Sequence, residues 1–352
     1  MFRTKDKIGL DIGSYSIKVV QLDGTGRGYH LMKAGYKEFQ QPLSITDDKV
    51  KGSLIISALD QLWKDLKIKN KKVSLCVSDP SIYSRHITVP RVAENDLVEA
   101  VKWQAEKYAP FSMENAVVDF QVLESSSKKG QDQMEIVIVA ARGETIQRYL
   151  SILEAVRLVP SVLGVAPFVI IKSYLHSCPV DEKEIVAIID IGGLTTSVTI
   201  MKGKHLQFVR YIDLGGSDLT RAVMEHKKID EFEAEKIKKG GTLINPVDQG
   251  KEPSDYILPM IEPMLIELVA QINRSFAYCE GEFLIEKIHR VLLCGGGARL
   301  QGVDRYLKKH LGVPAATVGP FKNINVTAPA RHADVLTARA PEMMAALGAA
   351  LD

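Results

Sequence analysis

Asp11-Ile-Gly-Ser-Tyr-Ser-Ile-Lys18 returns 179 positions later as Asp190-Ile-Gly-Gly-Leu-Thr-Thr-Ser197. In each copy an apolar alternating run ends in an aspartate. A glycine turn flanked by small hydroxyl residues follows, and a second alternating run leaves it, which is the pattern of a β-hairpin. A repeat spaced by about half the chain points to two related lobes, although a short match of this kind also arises between unrelated hairpins.

Working outward, residues 7–11 and 16–23 read as the first hairpin around Gly13, with residues 29–39 as a third strand. An amphipathic helix over 50–66 and a buried strand over 73–78 follow. The second copy gives strands over 185–191, 196–201 and 206–214, helices over 218–227 and 230–238, and a long helix over 256–283. A strand over 290–294 runs into Gly295-Gly-Gly-Ala-Arg-Leu300, and residues 341–351 read as a last helix. Between the copies the rhythm changes: strand 83–89, helix 94–108, strands 117–123 and 135–141, helix 145–156. This is the signature of an inserted α/β subdomain, with the polar stretch 125–133 as a solvated hairpin connection. The expected division is a first lobe core over 1–80 with 158–184 and about 335–352, and an insertion over 81–157. A second lobe core follows over 185–225 and 284–334, with its own subdomain over 226–283.

Composition narrows the function classes. With 46% hydrophobic and 25% charged residues over 352 positions, the chain is a folded protein long enough for its core to split. A formal charge of +2 is too small for a nucleic-acid binder, so no nucleic acid is expected. The opening residues show no secretion signal. The most apolar stretches, 136–141 and 161–171, fall short of the roughly 18–20 residues that a membrane-spanning helix needs. A cytoplasmic location is expected, with any membrane association made through a partner. Cys76, Cys178, Cys279 and Cys294 form no Cys-x-x-Cys pair and read as core thiols, while the eight histidines fit no protease or hydrolase motif.

Four elements carry possible chemistry. A glycine turn exposes backbone N–H groups and lets a polyanion approach with no Cβ in the way. In the first turn Gly13, Ser14, Tyr15 and Ser16 are the candidate phosphate contacts, with Lys18 as a point charge; in the second they are Gly192, Gly193, Thr195 and Thr196. Asp11 and Asp190 are the metal candidates, because Mg²⁺ binds one or two carboxylates together with phosphate oxygens and keeps several waters. Two hairpins with nothing bound would read the same way. The third element, Gly295-Gly-Gly297 behind a buried strand and ahead of a helix, lets a flat ring or ribose lie on bare backbone, with Arg299 close by. The dinucleotide fingerprint Gly-x-Gly-x-x-Gly is not met, since Leu300 stands where its last glycine would be. The fourth is Glu235 and Lys238, three apart on one helix, which taken alone read as a surface charge pair; Gly215 and Gly216 open the helix before them.

In this order and spacing the four elements resemble the phosphate-one, phosphate-two, ribose-helix and adenosine motifs of the actin, Hsp70 and sugar-kinase superfamily. Within it the chain is similar to the PilM family of FtsA-like type IV pilus assembly proteins. The residues that carry the narrower likeness are Ile8–Leu22, the stretch Val98-Glu-Ala-Val-Lys-Trp-Gln-Ala-Glu-Lys-Tyr-Ala-Pro-Phe111, and Val117–Leu123 after it.

The resemblance implies an actin-like α/β fold, two lobes with duplicated βββαβα cores around an ATP cleft, with ATP and Mg²⁺ as cofactors. It implies an adaptor at the inner face of the cytoplasmic membrane that binds the N-terminal peptide of a PilN-like bitopic membrane protein. Pilus assembly or retraction ATPases and the platform protein are further expected partners. Other readings are an actin-superfamily small-molecule kinase, an FtsA-like division protein, or a type II secretion or competence adaptor. No aspartate base for a sugar hydroxyl is evident, and residues 345–352 lack the basic face of an FtsA-type membrane helix. Actin-like filament proteins often carry a Glu just before a Pro in the segment joining the lobes. Here Ala166 precedes Pro167, so at most slow ATP turnover is expected.

Overall fold

The structure is a computed structural model that describes residues 7–25, 28–39, 49–79, 81–91, 94–123, 133–245, 256–282, 287–326 and 336–351. The stretch 125–133, read as a hairpin connection, lies outside them but for its last residue, which opens a strand. The first hairpin, β1 (Lys7–Ile12) and β2 (Ser16–Thr25), continues into β3 (Gly28–Glu38), α1 (Lys49–Leu66) and β4 (Lys72–Val77). Then come β5 (Tyr83–Pro90), α2 (Glu94–Tyr108), β6 (Ala116–Leu123), β7 (Gln133–Arg142) and α3 (Gly143–Ala155). The chain returns through β8 (Val159–Val165) and α4 (Ala166–Ser177). The second copy comprises β9 (Ile185–Ile191), β10 (Thr196–Lys202), β11 (His205–Ile212), α5 (Gly216–Lys227), α6 (Glu231–Gly240) and α7 (Leu258–Glu282). It closes with β12 (Arg290–Cys294), α8 (Val303–Leu311) and β13 (Ala315–Thr317), after which β14 (Asn325–Val326), paired with β3, and α9 (Met344–Ala350) return to the first lobe.

Among the described residues these strands form three sheets: β14-β3-β2-β1-β4-β8, β11-β10-β9-β12-β13, and β5-β7-β6. The central strands of the first two are covered on both faces and read as nearly continuous apolar runs, as strands buried on both sides must. The repeat extends beyond the hairpins into register. Asp11 stands opposite Lys18 of β2 and Cys76 of parallel β4; Asp190 stands opposite Ser197 of β10 and Cys294 of parallel β12.

In the small sheet, alternation divides β7. Ile136 and Ile138 pack with Leu97, Val101 and Ala105 of α2, while Val137, Val139 and Ala141 join the core of the first lobe. The apolar run 161–171, given no element in the sequence reading, splits into edge strand β8 and helix α4. Pro167 sits in the first helical turn, where its missing N–H costs nothing, and Val165 before it is extended. The last helix begins as a 3₁₀ turn, Ala340–Met343, before α9. A Cβ on Gly348 would run into the carbonyl of Val169, so α9 lies on α4 at a distance that only glycine permits. Ser173 Oγ donates to Met344 O at 2.5 Å and fixes the same contact. Cys76, Cys279 and Cys294 are buried, Cys178 is half-buried, and all four are free thiols.

Candidate functional site

Both turns close in the same way. Gly13 N–H donates to Ser16 O at 3.0 Å, and Gly192 N–H donates to Thr195 O at 2.9 Å. They face each other so closely that a Cβ on Gly193 would collide with the Ser14 hydroxyl and the Tyr15 ring. The cavity between them is lined by Asp11, Gly13, Ser14, Tyr15, Ser16, Lys18, Asp190, Gly192, Gly193 and Thr195. Gly216, Glu235, Lys238, Gly295, Gly296, Gly297 and Arg299 complete the walls. Seventeen of the nineteen sequence-selected residues thus meet in one place.

The floor is strongly charged. Lys18 Nζ lies 3.0 Å from Asp11 Oδ2, with both side chains mostly buried. Burial opposes the Lys18 ammonium, but the Asp11 carboxylate beside it and Glu342 outweigh that and hold its pKa above the ordinary lysine value. Asp190 is pushed up to about 6, first by burial and then by the Asp11 charge, against the lowering effects of Lys18 and of a hydrogen bond from Cys294. Two carboxylates at equivalent strand positions, with one lysine between them, form a site short of positive charge.

Glu235 and Lys238 are not on the surface. They face the cavity 2.6 Å apart, with side chains 14% and 12% exposed. Lys238 Nζ also donates to Gly216 O at 2.8 Å and to Thr220 Oγ1 at 2.7 Å, so three acceptors fix the ammonium. Burial works against the Glu235 carboxylate, yet the Lys238 ammonium prevails and holds its pKa below the usual range. Tyr15 reaches this pair from the first lobe, with Lys238 Nζ 5.6 Å from its ring centroid.

Two selected residues are placed elsewhere. Thr196 is fully buried and its hydroxyl donates to Leu214 O at 2.7 Å, behind the turn rather than toward the cavity. Gly215 spends its N–H on the Asp218 carboxylate at 2.9 Å. It packs so tightly on Gly193 and Leu194 that it serves the turn's shape. Thr196→Val is therefore expected to cost about 1 kcal/mol in a urea titration, the worth of one buried hydrogen bond, and to leave ligand affinity unchanged; a large loss of affinity in the folded variant would return Thr196 to the site. Arg299 lines the cavity, but its guanidinium is held by Glu342 Oε1 at 2.7 Å and Ala338 O at 2.9 Å.

Sequence reasoning missed Tyr36, Glu38, Lys239 and Glu342, which also line the cavity. Tyr36 is pushed up to about 12, chiefly by burial, so its phenol is neutral. Glu342 is 7% exposed beside two arginines. Glu342 follows Pro341 at the head of a predicted helix, and nothing in the linear pattern brings it to Lys18. Ala166 sits at the cavity wall as the first residue of α4. Among the described residues there is no group of three or more His, Cys, Asp or Glu side chains that could hold a metal, and no helix long and apolar enough to cross a membrane.

Comparison with known proteins accords with this geometry. The profile of the family described as type IV pilus assembly protein PilM matches residues 9–352. The solved structure of a PilM-PilN type IV pilus biogenesis complex superposes over 99% of this chain and 98% of its own, with TM-score 0.81 and 26% identity. MreB5 of Spiroplasma citri bound to AMPPNP superposes over 99% and 95%, with TM-score 0.51 and 13% identity, which is a likeness of fold alone. By sequence, the cell shape-determining protein MreB of Haemophilus influenzae is 28% identical over 154 residues, 36% of this chain. The match covers 44% of that relative, so the chain spans less than half the length of the curated protein it matches. The fold is that of the actin-like ATPases.

Proposed function

This chain belongs to the family of type IV pilus assembly protein PilM, and on that premise we propose that it is an ATP-binding adaptor of pilus assembly. In this reading it works at the inner face of the cytoplasmic membrane and binds the N-terminal cytoplasmic peptide of a PilN-like protein. It would couple that complex to the assembly or retraction ATPases and the platform protein. The observation that carries the nucleotide reading is the pair of facing turns, each headed by an aspartate, at equivalent places in two sheets. The AMPPNP bound by the Spiroplasma MreB5 supports it as a relative of the same fold.

The residues fit Mg-ATP by their chemistry. The two glycine turns with Ser14, Ser16 and Thr195 suit the phosphate oxygens, and Lys18 adds a positive charge. Asp11 and Asp190 would hold Mg²⁺, in part through water, and the penalty that burial and the Asp11 charge place on the Asp190 carboxylate is what a bound cation would offset. Glu235 and Lys238 suit ribose hydroxyls, and Gly295 to Gly297 suit a base laid on backbone. Ala166 offers a methyl group at the start of α4, where a carboxylate would be needed to orient water. ATP then acts chiefly as a ligand whose binding sets lobe closure and partner affinity.

The test is a titration of the purified protein with a synthetic N-terminal peptide of the PilN-like protein from the same genome, with and without Mg-ATP. Saturable binding with an ATP-dependent shift is expected, with ATP turnover in the same samples below about 1 s⁻¹. A peptide that fails to bind in both states would sink the adaptor reading; turnover at enzyme-like rates would sink the ligand-only role of ATP.

A further inference from the structure

The lobes share a buried core in which Val186, Ile188 and Leu292 pack with first-lobe residues, and on the cavity side they also meet at Glu38, the last residue of β3. Its Oε1 is paired with Lys239 Nζ of α6, and its Oε2 lies 3.4 Å from the guanidinium of Arg339. Each partner is itself held. Lys239 also lies 3.2 Å from Glu235 Oε1, in the second lobe. Arg339 lies 3.4 Å from Glu342 Oε1 and stacks its guanidinium 3.9 Å from the Tyr36 ring centroid. Glu342 in turn holds Arg299 at 2.7 Å. Glu235, Lys239, Glu38, Arg339, Glu342 and Arg299 thus form one unbroken chain of alternating charges. It starts on α6 of the second lobe, crosses the first, and ends at Arg299, the last residue of the 3₁₀ turn Gly296–Arg299.

An isolated exposed pair contributes little, because water screens it and two long side chains must be ordered to make it. Glu38 differs on both counts. It is one-third exposed, and both its partners are already ordered by a third group. Removing it breaks the chain at the crossing between lobes, whereas removing a residue at either end leaves that crossing intact.

We infer that Glu38 is a positioning residue. Acting through Lys239 and Arg339, it sets the spacing at which α6 and the Arg299 loop face the two glycine turns. The ligand whose binding this spacing serves is the nucleotide proposed above, so that part rests on that reading; the control of spacing does not.

The experiment compares the full chain with Glu38→Gln, Lys239→Met, the double variant and Lys239→Arg, by two readouts. The first is hydrogen exchange without nucleotide in peptides carrying residues 13–16 and 192–195, with β12 as the internal reference. The second is the affinity for a fluorescent ATP analogue with Mg²⁺. The two single losses are expected to speed exchange in both turns while β12 is unchanged, and to weaken the analogue about three- to five-fold. The double variant should lose no more than the worse single one, and Lys239→Arg should stay near the parent. Unchanged exchange in Glu38→Gln, or additive losses in the double variant, would overturn the inference. If the parent chain binds no analogue, the nucleotide reading falls, and exchange alone then decides: faster turns uphold Glu38 and unchanged turns remove it.

Discussion

Lys18→Ala is expected to lower the unfolding free energy by about 3–5 kcal/mol in urea at neutral pH, the cost of taking one partner from a buried ion pair. The cost comes from what is left behind. Asp11 is 5% exposed and lies across the cleft floor from Asp190, so without the ammonium two carboxylates share a poorly solvated site. Lys18 currently lowers the Asp190 pKa, and its loss would drive that value further up. Adding Asp11→Asn to Lys18→Ala removes the orphaned charge and should return most of the lost stability. A double variant no more stable than the single one would show that Lys18 contributes by packing instead. The pH dependence follows from the direction of the shift. Lys18 is held above 10.5, so the stabilisation is fully present below that pH and is lost only as pH climbs through the raised value. The comparison belongs at about pH 8–9, below the Lys18 value and clear of the range near 6 and above in which Asp190 would take up a proton once Lys18 is gone. Mg-ATP affinity should also fall, by about 1.5–3 kcal/mol for one charge-assisted hydrogen bond. Unchanged affinity in a folded variant would take Lys18 out of the site.

That Lys18 forms a mostly buried pair with Asp11 on which the fold's stability depends was not read from the octapeptide in which both stand. The spacing of 179 was legible because hairpins, glycine turns and an aspartate before each turn are local patterns, and they survive as the same hydrogen bond in both copies. The inserted sheet was legible for the same reason, since period-two alternation in β7 serves two cores at once. What escaped depends on contacts between distant segments. Glu235 and Lys238 are ribose-side candidates through the likeness to the superfamily, but their burial beside Gly216, Thr220 and Tyr15 escapes a reading of the helix alone. Thr196 read as a phosphate contact because it is one of the hydroxyl residues of the second turn; strand alternation turns it to the face opposite Thr195, and that rule could have excluded it. Glu38 and Glu342 sit about 300 positions apart and meet only through Arg339. The edge strand β8 was hidden in an apolar run whose break at Pro167 was the available signal.

Asp190→Asn should have the opposite sign. With a chelator present and no nucleotide, the variant is expected to be more stable than the parent at pH 7–8 by at most about 3 kcal/mol, the free-energy equivalent of moving a carboxyl from 3.8 to about 6. The figure is an upper value because Asp190 keeps some contact with the cleft and water there screens part of the repulsion. The native state binds the Asp190 proton more tightly than the unfolded chain does. Parent stability from this group therefore falls as pH rises from about 3.8 to about 6, then stays level. The advantage of the asparagine should be absent below that window, grow through it, and be constant above it. A difference that ignores pH, or an asparagine that destabilises at pH 8, would mean that burial and Asp11 do not penalise this carboxylate. Geometry favours tolerance of the change, since the amide oxygen can still accept from the Cys294 thiol. On the proposed reading, adding Mg-ATP should reverse the order of the two proteins, because a cation held by Asp11 and Asp190 would turn the penalty on the parent carboxylate into an attraction for its ligand. A residue that weakens the fold when alone and strengthens it when liganded is positioned for binding, not for packing.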